Sequence, residues 1–158
     1  MVSIVFGVVG AFFGSFAAAQ VWRLRAHQLA EDAAAGEKVD PKELAQLRGL
    51  IRPVMRDRSE CLVCHHTLAW YDLIPVLSWL GLGGKCRYCR HQIGGADFFL
   101  EIGVAIVFAC SYAVWSAQAL SLASIGLLTL WLVACTLMAI LFMYDARWYL
   151  LPFRINLS

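Results

Sequence analysis

Apolar and polar positions divide the chain into three long hydrophobic runs separated by one long polar segment. The first run covers 1–22. From Phe98 to Tyr144 there is no Lys, Arg or His, and Glu101 is the one carboxylate. One bilayer crossing needs about 20 apolar residues, so this stretch predicts two crossings, drawn at 98–117 and 122–144, joined by a tight turn. Within the polar segment, Leu44, Leu47, Leu50, Ile51 and Val54 recur at helical spacing. Asp40 can cap that helix, Pro41 suits its first position and Glu43 follows three residues after the cap. Pro53 ends or bends it. Residues Arg25 to Lys38 are polar, with little periodic structure, and no internal repeat stands out. The pattern predicts an all-α polytopic membrane protein with three transmembrane helices and a small cytosolic insertion. Its units are 1–22, 23–58, 59–97, 98–117, 122–144 and a tail at 145–158.

Composition supports a bilayer setting. Hydrophobic residues make up 61% of the chain and charged residues 15%, against roughly 45–50% and 25% in ordinary soluble domains. A net charge of +2 gives no sign of nucleic-acid binding. Placement of the charges is more informative. Eleven of the 13 Lys and Arg residues lie between Arg23 and Arg90, and Arg147 and Arg154 follow the third run. With three crossings all of them fall on one side, which the positive-inside rule assigns to the cytosol. The N-terminus is then outside. Trp22, Tyr144, Trp148 and Tyr149 fall at the expected inner interface, and Trp115 at the outer one. The small residues near Ala17–Ala19 could suggest a cleaved secretory signal, but nothing basic precedes the first run as a signal requires. A retained helix is expected.

Cys61-Leu62-Val63-Cys64 and Cys86-Arg87-Tyr88-Cys89 form two C-x-x-C pairs separated by 21 residues. Two such pairs can supply the four thiolates of a closed structural zinc site, which would fold a loop that has little core of its own. The alternatives are disulfides, which a reducing cytosol disfavours, unconnected thiols, and a redox motif, which is expected singly beside a β-α-β pattern. His65, His66 and His91 flank the cysteines and are expected to be bystanders. Cys110 and Cys135 lie within spans and are expected to be small packing residues. Two carboxylates stand at or in the membrane, Glu101 and Asp145, where an ionisable group is a functional candidate by default. Pairing among the headgroups would equally explain Glu101, and an interfacial charge beside Arg147 would explain Asp145.

At these residues the chain resembles the type IV prepilin peptidases, membrane aspartic endopeptidases of pilus and type II secretion systems. Gly14-Ser15-Phe16 followed by Trp22-Arg23-Leu24 is similar to the family's opening helix. The most specific match is the segment from Trp70 to Leu80 between the cysteine pairs. Ile93, Glu101 and Asp145 with Leu150-Leu151-Pro152 complete the series. The resemblance covers Gly14 to Pro152 apart from the 26–58 insert. It implies a multi-pass protein of the bacterial cytoplasmic (inner) membrane that removes the leader of prepilins or pseudopilins, with Asp145 as the first catalytic aspartate. It also implies a structural zinc on Cys61, Cys64, Cys86 and Cys89 and, in many members, N-methylation with S-adenosylmethionine. The family's second aspartate lies in a Gly-x-Gly-Asp motif on a later span that is not among these residues, so the chain is expected to be the N-terminal portion of such a peptidase or one half of a split one. Ala96-Asp97-Phe98, Ala18 and Phe153 depart from the family pattern. A non-catalytic zinc-knuckle scaffold of the assembly machinery and a membrane thiol oxidoreductase are the competing classes.

Overall fold

A computed structural model describes residues 1–51, 58–116 and 121–148. Pro53, Val54 and the whole of Leu150-Leu151-Pro152, with Phe153 and Arg154, lie outside the described residues. The described residues form five α-helices, α1 (Val2–Ala34), α2 (Pro41–Leu47), α3 (Leu77–Gly81), α4 (Gly95–Trp115) and α5 (Leu122–Trp148), with short 3₁₀ turns at Arg48–Leu50 and Trp70–Leu73. They contain no strand, only two isolated antiparallel bridges. Three of the helices, α1, α4 and α5, are long and apolar enough to cross a membrane. The chain is therefore an all-α protein with a multi-pass membrane architecture.

Small residues let α1 and α4 approach closely, as membrane helices do where there is no hydrophobic force between them. A Cβ placed on Gly10 would stand 2.7 Å from the Phe108 Cβ, and one on Gly14 would stand 2.6 Å from the Glu101 Cα. The two helices run antiparallel. Phe6 stacks on Tyr112 at 4.4 Å, Phe13 lies 5.4 Å from Phe108, and Trp22 donates to Asp97 at 3.5 Å. Ala17 and Val21 of α1 share a buried cluster with Ile140 and Met143 of α5. Trp131 of α5 donates to the Ser111 hydroxyl of α4 at 3.0 Å. An apolar groove of about 700 Å3 separates these last two helices, with Cys135 in its wall. Cys110 is exposed on α4. The end of α1, the start of α4 and the end of α5 thus meet at one end of the bundle, with the cysteine loop beside them.

The first helix departs from the sequence expectation. It continues through the polar stretch after Arg25 as far as Ala34, because this stretch is rich in alanine and straight-chain residues that favour helix. Its apolar positions are sparse but correctly spaced, and Ala26 and Leu29 are buried against Leu47 and Leu50 of the insert. The Asp40 side chain accepts from the Lys42 amide at 2.9 Å and caps α2, whose first residue is Pro41. Leu62 of the cysteine loop packs on the same cluster. The insert is therefore wedged between the extension of α1 and the cysteine loop.

Candidate functional site

The four cysteines are brought together by two copies of one turn. Glu60 bridges to Thr67, and Lys85 to Gln92. In the first copy the Cys61 amide donates to the His66 carbonyl at 3.0 Å, and the His65 amide to the Cys61 carbonyl at 2.9 Å. In the second, Cys86 donates to His91 at 2.8 Å and Arg90 to Cys86 at 3.0 Å. His65 (φ 54°) and Arg90 (φ 60°) occupy the same left-handed position after the second cysteine of each pair. The repeat Cys-x-x-Cys-x-His was present in the sequence, but its histidines act through their carbonyls, which a search for side-chain ligands overlooks. The His66 ring packs across the two copies on Tyr88, 3.7 Å between centroids. Among the described residues no histidine side chain joins the group that could hold a metal ion, which consists of the four cysteines.

All four sulfurs lie within 4.8 Å of one another, and Cys61 and Cys89 are 3.9 Å apart. Sulfurs about 2.3 Å from a tetrahedral zinc are separated by about 3.8 Å, so the donor set and its spacing fit that ion. Burial raises the Cys86 thiol, but amides of Cys89 and Tyr88 donating to its sulfur outweigh this and bring it to about 7. Burial pushes Cys61 up to about 12, and the neighbouring sulfurs add to the rise. The Cys86 thiolate forms readily, and its neighbours Cys61 and Cys89 are raised, as expected for like charges in contact. A divalent cation would remove that repulsion.

The segment between the turns is anchored at two carboxylates. Asp72, its side chain only 3% exposed, accepts from Arg87 at 2.7 Å, Tyr88 at 3.2 Å and the Ala69 amide at 3.3 Å. Burial raises the Asp72 carboxyl, but these donors hold it below the usual aspartate value. Glu101, in the second turn of α4, accepts from the Val76 amide at 2.8 Å, with the Ser15 side chain alongside. Val76 lies at φ 61°, ψ −50°, and the Leu77 amide donates to the Pro75 carbonyl at 2.5 Å. This is a three-residue γ-turn of the rare, strained hand, occupied by a β-branched residue for which positive φ is an outlier. Gly14-Ser15, Val76 and Glu101 come from three separate parts of the sequence and meet here.

Asp145 lies near the end of α5, half-buried. The turn that follows it is held firmly. Arg147 pairs with Asp97 at 2.5 Å and lies 4.3 Å over the Trp22 ring. Trp148 donates to Glu43 of α2 at 3.0 Å, and Glu43 also pairs with Arg25 of α1 at 2.9 Å. The Arg25 guanidinium bonded to Glu43 holds its carboxyl below the ordinary value, against the effect of burial. Tyr144 donates to Gln28. Charge position in the sequence did not point to these contacts, since Glu43 read only as the residue three after the α2 cap and Asp97 only as a departure from the family pattern. The signal available was the pair of aromatic-plus-Arg exits, Trp22-Arg23 and Arg147-Trp148, at the ends of two spans.

These elements enclose a cavity of about 760 Å3, a size typical of small-molecule sites. Its wall takes Glu101, Asp97, Glu43, Arg147, Cys61 and Cys86, with apolar surface from the insert. Asp145 is not among the lining residues.

Residues 8–115 match the family model described as the bacterial peptidase A24 N-terminal domain. A prepilin leader peptidase/N-methyltransferase of Vibrio cholerae serotype O1 is 29% identical over 104 residues, covering 66% of this chain and 35% of the relative. A type 4 prepilin-like proteins leader peptide-processing enzyme of Escherichia coli O78:H11 is 31% identical over 144 residues, covering 89% of this chain and 48% of the relative. A prepilin leader peptidase/N-methyltransferase of Myxococcus xanthus is 42% identical over 59 residues, 37% of this chain and 18% of the relative. The chain spans less than half the length of these relatives. No solved structure matches it.

Proposed function

Because the chain belongs to the bacterial peptidase A24 N-terminal domain family, we propose that it is the amino-terminal part of a membrane aspartic endopeptidase that removes the leader of type IV prepilins and pseudopilins. Asp145 is one catalytic carboxylate, and the other comes from a Gly-x-Gly-Asp span beyond the matched region. Of two neighbouring carboxyls, one stays protonated because both cannot easily ionise together. The ionised member takes a proton from water as that water attacks the scissile carbonyl, and the protonated member polarises the carbonyl oxygen. We read 1–22, 98–117 and 122–144 as the spans, 23–58 as a cytosolic insert, 59–97 as the knuckle and 145–158 as a cytosolic tail, with the N-terminus outside the cytoplasmic (inner) membrane. Cys61, Cys64, Cys86 and Cys89 would hold one zinc ion, which ties the two turns together and supplies no chemistry to the cleavage. Methyl transfer from S-adenosylmethionine, an activity named for the relatives, is carried over to the whole protein without assigned residues.

The observation that carries this assignment is the meeting of Gly14, Ser15, Val76 and Glu101 at one junction, at the same end of the bundle as Asp145. These are the positions at which the sequence resembles the peptidases. A substrate whose apolar helix lies in the bilayer and whose leader is cytosolic would reach that end first. The test is Asp145→Asn in a protein that carries this chain together with its Gly-x-Gly-Asp counterpart, in one polypeptide or as a pair. Leader removal is expected to stop while metal content stays unchanged. One observation favours a non-catalytic scaffold instead, namely that Asp145 does not line the cavity. On that alternative the same variant would process prepilin normally.

A further inference from the structure

The segment between the cysteine turns presents an apolar face that nothing else in the described chain covers. Leu77 and Leu80 stand three residues apart on one side of α3 and are 66% and 57% exposed, and Trp70 before them is 76% exposed. Residues at that spacing share a helix face. The opposite side of α3 is fixed. Trp79 stacks on Phe98 at 4.3 Å and covers Gly84. Phe98 lies in the first turn of α4, and the next residue, Phe99, is 70% exposed on that helix. The side of α3 that carries Trp79 is thus held against the first turn of a helix that is apolar and long enough to cross a membrane, and the Leu77–Leu80 face is left open.

We propose that α3 and Trp70 form a foot that rests in the bilayer interface beside α4, with phospholipid as its partner. The proposal depends on α4 being a membrane span. Three features point to lipid. The helix docks through Trp79 on Phe98 next to exposed Phe99 of α4, its open face mixes tryptophan with leucine as interfacial segments do, and the adjoining cysteine turn carries exposed Lys85 and Arg90. Cations at that level suit an anionic leaflet. Soluble proteins rarely leave such a patch open. On this basis the strained turn at Val76 and its Glu101 anchor set the height of the foot. The loop is then bound to the membrane surface at both ends of the segment and is not suspended in water.

The test is photo-crosslinking with benzoylphenylalanine introduced singly at Leu77, Leu80, Leu130 or Lys38. The chain is reconstituted in phosphatidylethanolamine and phosphatidylglycerol vesicles together with a type IV prepilin, and adducts are identified by mass. Leu130, 66% exposed within α5, serves as the in-membrane control, and exposed Lys38 as the aqueous one. Lipid adducts at Leu77 and Leu80, comparable with Leu130 and absent at Lys38, are the expected result. Adducts at Leu130 alone, or adducts to prepilin at Leu77 and Leu80, overturn the foot while the spans stand. No lipid adduct at any position overturns the span assignment as well. If a crosslinker variant fails to fold, quenching by brominated lipid decides the matter. It must be weaker in Trp70→Phe than in the parent chain, and equal quenching overturns the proposal.

Discussion

Replacing Glu101 with alanine removes the acceptor that holds the Val76 amide at 2.8 Å. A hydrogen bond to a charged acceptor contributes about 1.5–3 kcal/mol, and a non-glycine residue in a sparsely populated backbone region costs about 1–3 kcal/mol. At present the first offsets the second. Without the carboxylate the turn keeps its strain and loses its restraint, so opening of the Ile74–Gly81 segment is expected to increase about tenfold to a hundredfold. Hydrogen exchange followed by mass spectrometry in nanodiscs reads that opening directly. Metal content is expected to stay at the parent level, because none of the four cysteines touches Glu101. Glu101→Gln keeps an oxygen acceptor without the charge and should fall between the two. Adding Val76→Gly to Glu101→Ala should recover part of the protection, since glycine adopts positive φ without the Cβ clash. Unchanged exchange over this segment in Glu101→Ala would refute the anchoring role, and so would a Val76→Gly addition that makes exchange faster.

Further outcomes can be stated from the same geometry. Cys86→Ser, at the most buried of the four thiols, should take bound zinc from one per chain to none by elemental analysis and leave the helical circular dichroism of the spans intact. Structural zinc in comparable peptide sites contributes about 10–16 kcal/mol, so the loop should become protease-sensitive. Gly10→Ile forces a Cβ to 2.7 Å from Phe108 and should lower stability by about 1–3 kcal/mol as overpacking does, measured by thermal unfolding in detergent. Gly103→Ala, with nothing within 4 Å, should have little effect there. Glu43 has a lowered folded-state carboxyl. The stability it contributes is fully present above the ordinary value of about 4.3 and is lost as pH falls through the lowered value. Pepsin cleavage of the 35–40 segment should therefore accelerate across that acid window in the parent chain. In Glu43→Gln it should already be fast and no longer vary with pH there.

The spans were legible because hydrophobic length is a direct consequence of bilayer thickness. The α2 cap was equally legible, since Asp40 and Pro41 act within one turn. The cysteine cluster followed from ligand chemistry, and the four sulfurs do converge. What the sequence concealed are contacts between elements and the exact length of α1. Gly10 and Gly14 lie four residues apart on one face of α1, but the helix they meet depends on topology. Glu101 stood out as an intramembrane acid, yet its partner is a backbone amide 25 residues away in the sequence, which no pattern of side chains announces. Glu43 and Asp97 gain significance only through Trp148 and Arg147. The extension of α1 was missed because alanines dilute the helical pattern, although Ala26 and Leu29 are its buried positions.

The continuity of α1 has a mechanical consequence. From Arg25 to Ala34 it runs on for about 15 Å at 1.5 Å per residue. There it grips the insert through Leu29 and, through Gln28 and the Arg25–Glu43 pair, the last turns of α5. Rod and bundle cannot tilt independently. The first helix and the turn beside Asp145 are therefore tied as one body through Gln28, Arg25 and Glu43.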